Sequence, residues 1–242
     1  MKILVIGDIH GRRFWKTAVE KNINKVDKIV FLGDYFDAYT DEGIEYEWDA
    51  TLANFNEILE LKRANPDKVV LLLGNHDMHY RDINFDECTR STRFDKVHEN
   101  RLRHLFNDEN RALFQTCYIT EVGKKKVIFS HAGITKYWLD KCELKLDDSL
   151  EANINDLENN IKGIGKLCII GKERTWFGDK TGSIMWCDVS EFLEDEGLGN
   201  DYFQIFGHTR LKKGVMIKSK TFACVDSQVA FILNDKCDLK EV

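Results

Sequence analysis

The chain has 242 residues, 43% of them hydrophobic and 31% charged, with a formal net charge of -6. That length is enough to bury a full core, and the acidic balance excludes broad adhesion to nucleic acid or to anionic membrane, either of which needs a basic surface. Seven cysteines, an odd number with no C-x-x-C pair, point to reduced thiols rather than a disulfide framework or a zinc ribbon.

Met1-Lys2 leads directly into the first apolar run, unlike a signal peptide, and no run reaches the roughly 20 residues that span a bilayer, so a soluble, cytoplasmic protein is expected. Ile3-Leu4-Val5-Ile6 predicts a strand, closed by Gly7-Asp8-Ile9-His10-Gly11. Residues 12–24 place Phe14, Trp15, Ala18, Val19 and Ile23 at helical spacing, which predicts the crossover helix of a βαβ unit. A second strand from Lys28 ends in Gly33-Asp34-Tyr35-Phe36-Asp37. After an acidic, polar stretch over residues 39–46, Trp48, Leu52, Phe55, Ile58, Leu59 and Lys62 predict a second amphipathic helix, stopped by Asn65-Pro66-Asp67. Leu71-Leu72-Leu73 belongs to a third strand, ending in Gly74-Asn75-His76-Asp77. The alternation predicts a largely parallel sheet with helices on both faces.

Residues 78–110 loosen into mixed charge, with a helix expected over 94–106 and its charges on a solvated face. Residues 117–129 predict a hairpin turning at Gly123-Lys124, whose second strand ends in Ser130-His131-Ala132-Gly133. A further insertion follows over residues 134–200, helical over 146–161 and rich in Gly and Trp over 163–188. Phe203-Gln204-Ile205-Phe206 predicts a strand ending in Gly207-His208-Thr209. Residues 221–233 predict a hairpin turning near Ser227-Gln228, in a second sheet that makes a sandwich with helices outside; residues 236–242 predict a polar tail. No linker or repeat divides the chain, and candidate ligands come from both its ends. The expected organisation is one domain over residues 1–242, with insertions at about 78–125 and 134–200.

Five strand ends thus carry small residues beside Asp, Asn or His, at the edge where open α/β sheets build their sites. They read as one metal-binding rim. Asp, Asn and His mix hard oxygen with borderline nitrogen donors, which suits Mn2+, Fe or Zn2+ better than Ca2+. Asp8 and His10, two residues apart, project to the same side and can grip one ion. Asp34 can bridge two ions with its two oxygens, and Asn75, His131 and His208 can complete the second. His79, His98 and His104 belong to no such set and are expected at the surface or in local hydrogen bonds. Asp77 reads as a turn carboxylate or a support to the ligands. Asp226 either supports a ligand histidine or holds a turn. Tyr35, Tyr39 and Trp48 could stack on an aromatic substrate, although packing is the expected use of Trp48.

The five blocks follow one another over nearly the whole chain and together resemble the calcineurin-like metallophosphoesterase superfamily. The resemblance implies an α/β fold, the metallophosphoesterase β-sandwich of two mixed sheets flanked by helices. It implies two divalent metal ions, Mn2+ first with Fe or Zn2+ as alternatives, and in-line attack on phosphorus by a metal-bridging hydroxide. It also implies His76 as general acid for the leaving oxygen, oriented by Asp37. Arg210 stands where many diesterase branches have a second histidine. His131-Ala132-Gly133 and Cys224-Val225-Asp226-Ser227 look like the phosphoprotein phosphatase branch, which includes Ser/Thr phosphatases and symmetrical diadenosine tetraphosphate hydrolases. That branch usually places a phosphate-clamping arginine directly after the position of Asp37, but Ala38-Tyr39 follows here, so another arginine substitutes or the substrate differs. Arg12, Arg81, Arg174 and Arg210 are the candidates, Arg12 and Arg210 being nearest to ligand blocks.

The activity expected from this resemblance is hydrolysis of phosphate monoesters, phosphoserine and phosphothreonine included. The alternative is a phosphodiesterase or a nucleotide or dinucleoside polyphosphate hydrolase, and a non-catalytic scaffold is a third reading. The expected partner is a phosphorylated protein or nucleotide; the balanced charges over residues 90–111 argue against nucleic acid.

Overall fold

In the computed structural model, residues 1–39, 48–81, 90–91, 93–106, 108–195 and 197–242 are described. The acidic stretch expected after Tyr39, part of the first expected insertion, and Cys88 lie outside the described residues. The chain runs β1 (Ile3–Ile6), α1 (Phe14–Asn22), β2 (Lys28–Phe31), α2 (Trp48–Ala64), β3 (Val69–Leu72), α3 (Asn75–Arg81), α4 (Glu99–Leu105), α5 (Asp108–Arg111) and β4 (Phe114–Gln115). It continues through β5 (Cys117–Val122), β6 (Lys125–Ser130), α6 (Lys136–Lys141), α7 (Leu150–Asp156), α8 (Ile161–Leu167) and α9 (Val189–Glu194). The last strands are β7 (Tyr202–Phe206), β8 (Ile217–Lys218), β9 (Phe222–Cys224), β10 (Ala230–Leu233) and β11 (Leu239–Glu241).

Two mixed sheets result, one ordered β11-β10-β1-β2-β3-β4 and the other β5-β6-β7-β9-β8. Within the first, β1 to β4 run parallel and β10 joins β1 antiparallel, Ile3 opposite Leu233. Successive side chains of a strand alternate between its faces. Ile3 and Val5 of β1, with Val30 of β2, therefore meet Val127 and Phe129 of β6 and Phe203 and Ile205 of β7 in the core between the sheets. Leu4 and Ile6 point the other way, onto Trp15, Ala18 and Val19 of α1 and the α2 residues Phe55, Ile58 and Leu59. All four residues of β1 are inaccessible, which explains why the strand reads as an unbroken apolar run. Each such side chain contributes about 1.5–3 kcal/mol of burial.

Several local expectations are corrected. Residues 221–233 do not form a hairpin: β9 pairs with β7 and β8 in one sheet, whereas β10 pairs with β1 and β11 in the other. Both segments present apolar faces to the same core, so their alternation did not say which sheet each joins. The crossing between them brings Asp226 to the rim. The polar tail contains a strand. The Asn234 side-chain oxygen accepts from the amides of Lys236 and Asp238, each at 2.9 Å, and this turn folds β11 back onto β10. The helix expected over 146–161 is shorter, α7 and a 3-10 turn (Leu157–Asn159), and α8 begins only where it was expected to end. Asn160 ends the first piece in extended backbone and caps the next by accepting from the Gly163 amide at 2.8 Å. The helix expected over 94–106 starts only at Glu99. Among the described residues no helix is long and apolar enough to cross a membrane.

Candidate metal centre

The parallel strands deliver their polar ends to one rim. Asp8 and His10 follow β1, Asp34 and Asp37 follow β2, Asn75 and His76 open α3 directly after β3, His131 follows β6, and His208 follows β7. The turns there are tight enough that His10, Asp34, Asp37 and His208 all adopt positive φ, between 43° and 63°. Such conformations cost on the order of 1–3 kcal/mol each and persist only where surroundings enforce them. Asp77 supplies part of that enforcement. Its Oδ2 accepts from the amides of Asp34 at 2.7 Å and Gly74 at 2.8 Å, and its Oδ1 accepts from the Tyr35 amide at 2.9 Å. It ties two strand ends together and stands apart from the clustered ligand atoms. Two glycines make the cradle: a β-carbon on Gly74 would overlap Asp34 Oδ1, and one on Gly207 would overlap Asp8 Oδ1.

All six sequence-predicted ligands are brought together. Asp8, His10 and Asp34 form one group of donors within 4.8 Å of one another, and Asp34, His131 and His208 form another. Asp34 Oδ2 stands between them, 3.4 Å from His10 Nε2 and 3.5 Å from His131 Nε2. Asn75 Oδ1 lies 2.9 Å from His131 Nε2 and 3.0 Å from His208 Nδ1, and those two nitrogens are 3.1 Å apart. Two rings are fixed from behind. His10 Nδ1 donates to the Phe36 carbonyl at 2.7 Å and His131 Nδ1 to the Leu32 carbonyl at 2.9 Å, so Nε2 of each offers its lone pair to the rim.

Electrostatics agree with this donor set. Burial drives the His10, His131 and His208 imidazoles below their ordinary value, toward the neutral form that coordinates cations. Burial, with Asp226 and Asp34 beside it, pushes the Asp8 carboxyl well up, and burial raises Asp226 to about 7. A divalent cation reverses the penalty on the carboxylates and uses the lone pairs. The residues present therefore fit such ions. The donors are buried, neutral or anionic, already convergent, and cradled by glycines.

Beside the rim, His76 Nδ1 donates to Asp37 Oδ2 at 2.7 Å, and the Tyr80 hydroxyl donates to Asp37 Oδ1 at 2.5 Å. The Arg93 guanidinium donates to His76 Nε2 at 3.1 Å and to the Asp37 backbone oxygen. It also lies 3.7 Å from the centre of the Tyr39 ring. Arg210 and Arg12 approach the same ring, at 4.1 and 5.2 Å. Of the other candidate arginines, Arg81 is paired with Glu158 at 2.6 Å, and Arg174 is paired with Asp188 at 2.8 Å and donates to Thr209 Oγ1.

Tyr80 and Arg93 were missed from the sequence. Arg93 belongs to the segment expected to be a solvated charged face, and only the packing of that segment onto α3 reveals it. Of the two alternatives for His79, the surface one is excluded and the hydrogen-bonded one holds: it is fully buried, accepts from the Ser91 amide at 3.2 Å and packs against Trp186. Tyr35 is also buried, donating to the Leu72 carbonyl at 3.0 Å, so it cannot stack on a substrate. Trp48 packs as expected, stacked on His98 at 3.9 Å. Burial raises the thiols of Cys187 and Cys224, which makes both poor nucleophiles.

The family model described as calcineurin-like phosphoesterase matches residues 1–219. No curated protein sequence matches the chain. Among solved structures, a cold-active protein-tyrosine phosphatase of a psychrophilic Shewanella sp. is similar over 99% of this chain and 80% of its own, with 15% identity and a TM-score of 0.53. A protein serine/threonine phosphatase from Saccharomyces cerevisiae is similar over 96% of this chain and 72% of its own, with 15% identity and a TM-score of 0.51. At that identity the likeness is one of fold.

Proposed function

Because the chain belongs to the calcineurin-like phosphoesterase family, its chemistry is the hydrolysis of phosphate esters, and we propose that it cleaves monoesters at a centre of two divalent ions. Asp8, His10 and Asp34 hold one ion; Asp34, Asn75, His131 and His208 hold the other. One observation carries this reading. Asn75 Oδ1, His131 Nε2 and His208 Nδ1 converge within 3.1 Å of one another, beside an Asp34 carboxylate that faces both histidine groups. Several lone pairs aimed at one point are repulsive unless a cation occupies it. When bound, such ions acidify a water molecule and neutralise charge building on the phosphoryl oxygens, and the donor set suits Mn2+, with Fe or Zn2+ as alternatives.

The chain's own residues handle the proton and the orientation. Water oxygen bonds to phosphorus as the bond from phosphorus to the ester oxygen breaks, and His76 Nε2 gives its proton to that leaving oxygen. Asp37 takes the hydrogen bond from the opposite ring nitrogen, which fixes the imidazole plane for the transfer. Tyr80 holds the second oxygen of Asp37, so the carboxylate cannot rotate away from the ring. Residues 1–242 act as one domain in this reading, since the His208 amide donates to Asp8 Oδ2 at 3.1 Å from 200 residues away. The six described cysteines are free thiols, which suits a cytoplasmic location.

The substrate is a phosphorylated protein or nucleotide whose outer part meets Arg12 and Arg210. Three guanidinium groups around the Tyr39 ring favour a second reading, in which that outer part carries further phosphates, as in dinucleoside polyphosphates. Mn2+-loaded protein assayed on an aryl phosphate monoester, a bis-aryl diester and a dinucleoside polyphosphate separates the two. Turnover of the monoester above the others is expected. Turnover confined to the diester or the polyphosphate overturns the first reading.

A further inference from the structure

Most arginines of this chain whose partners are evident sit against carboxylates: Arg13 against Glu57, Arg81 against Glu158, Arg103 against Glu99 and Arg174 against Asp188. Arg93 does not. Among the described residues its guanidinium meets only neutral groups, His76 Nε2, His10 Nδ1, the Asp37 backbone oxygen and the face of the Tyr39 ring. The side chain is half-buried, so water compensates its charge only in part. A cation with no counter-charge among the described residues is thus aimed at the nitrogen that faces the leaving oxygen in the proposed reaction. We infer that Arg93 grips the phosphoryl oxygens of the substrate, with Tyr39 as a positioning residue whose ring holds the guanidinium over the centre. The inference rests on the phosphoesterase reading above and adds to it a residue that binds substrate.

The geometry favours this over a purely structural role. A phosphoryl group between the ligands and His76 lies within reach of the N–H groups that now meet the imidazole. A planar fork matches two phosphoryl oxygens, with charge-assisted bonds stronger than those to a neutral nitrogen. Tyr39 is itself held at the rim, edge-on to His10 with ring centres 4.9 Å apart. Its face gives the guanidinium a flat support that costs no hydrogen-bonding capacity. Arginine thus reaches the site from the segment after α3, and Tyr39, two residues after Asp37, supplies the platform.

Binding of inorganic phosphate to Mn2+-loaded protein, followed by calorimetry beside a metal analysis of the same samples, reads this without turnover. Arg93→Gln should weaken phosphate binding about 10- to 100-fold at unchanged metal content. Arg93→Lys, a point charge without the fork, should fall between, and guards against a folding defect in the first variant. Tyr39→Leu should weaken binding about 3- to 10-fold while Tyr39→Phe restores it, since the ring face and not the hydroxyl is used. Wild-type phosphate affinity in both Arg93 variants overturns the inference, as does a loss of metal in parallel with phosphate. Wild-type protein that binds Mn2+ but no phosphate overturns it while leaving the metal centre intact. Wild-type protein that binds no Mn2+ removes the phosphoesterase reading and this inference together.

Discussion

Asp34 Oδ1 occupies the space that a β-carbon on Gly74 would need. The same oxygen accepts from the His76 amide at 3.0 Å, so the carboxylate has no free direction in which to retreat. Gly74→Ala should therefore displace the residue that the two proposed ions would share. Overpacking of this kind costs about 1–3 kcal/mol, but the decisive readout is metal content, which should fall well below two ions per chain. Gly165→Ala is the matched control. A β-carbon there meets nothing within 4 Å, and metal content should stay at the wild-type level. Full occupancy in Gly74→Ala would show that the cradle tolerates a side chain.

Asp34→Ala tests the sharing directly. With Oδ2 standing 3.4 Å from His10 and 3.5 Å from His131, its removal should cost both ions rather than one. Wild-type protein in Mn2+ at 100 times its dissociation constant gains about 2.7 kcal/mol per site, which appears as a raised unfolding midpoint. The variant should show little of that rise. Without metal the difference should shrink, because Asp34 is one of the charges that push the Asp8 carboxyl up and its loss relieves that repulsion. A variant that keeps one tightly bound ion and near-normal turnover rules out the shared carboxylate.

The rim was legible in the sequence for a physical reason. Strands such as β1 and β3 are buried on both faces, so each appears as an apolar run, and the run stops where polar groups begin. Asp8, His10, Asp34, Asn75, His131 and His208 could be grouped because every one sits at such a stop. Arg93 could not, because nothing local distinguishes it from the charged residues around it; its meaning comes from Tyr39 and His76, both distant in sequence. Whether His79 was buried or at the surface stayed open for a related reason. It lies on a helix only seven residues long whose residues Asn75 to Tyr80 are all buried, polar ones included, so no apolar periodicity marks the burial. The separation of β9 from β10 was hidden because a shared core imposes one alternation on two sheets. The Asn234 turn and the Asn160 cap did carry signals, since Asn favours both positions.

His76→Ala should lower turnover by about 10²- to 10⁴-fold on alkyl phosphates, whose leaving oxygen needs a proton, and far less on nitrophenyl phosphate, whose leaving group departs as the anion. Asp37→Asn should follow the same pattern in weaker form, because an amide oxygen can still accept from Nδ1–H but no longer stabilises the charged ring. Loss of equal size on both substrates would assign His76 to substrate binding rather than proton transfer.

His79 predicts how stability responds to acid. It is fully buried, edge-on to His76 and Phe94, and it accepts the Ser91 amide hydrogen at Nε2. Burial, with the His76 ring beside it, holds its pKa down at about 3, against 6.5 for the free side chain. Between those values the unfolded chain binds a proton that the folded chain refuses, so the unfolded state gains as pH falls from 6.5 toward 3. The slope attributable to this one group approaches about 1.4 kcal/mol per pH unit. Glutamine keeps an acceptor within reach of the Ser91 amide but does not titrate. His79→Gln should therefore lose stability less steeply than wild type when metal-free protein is unfolded in urea at a series of pH values from 6.5 down to 4. The buried His10, His131 and His208 tilt both curves in the same direction and cancel in the comparison. Parallel curves would mean that His79 reaches water or a counter-charge in the folded protein and is not held neutral by α3 and its neighbours.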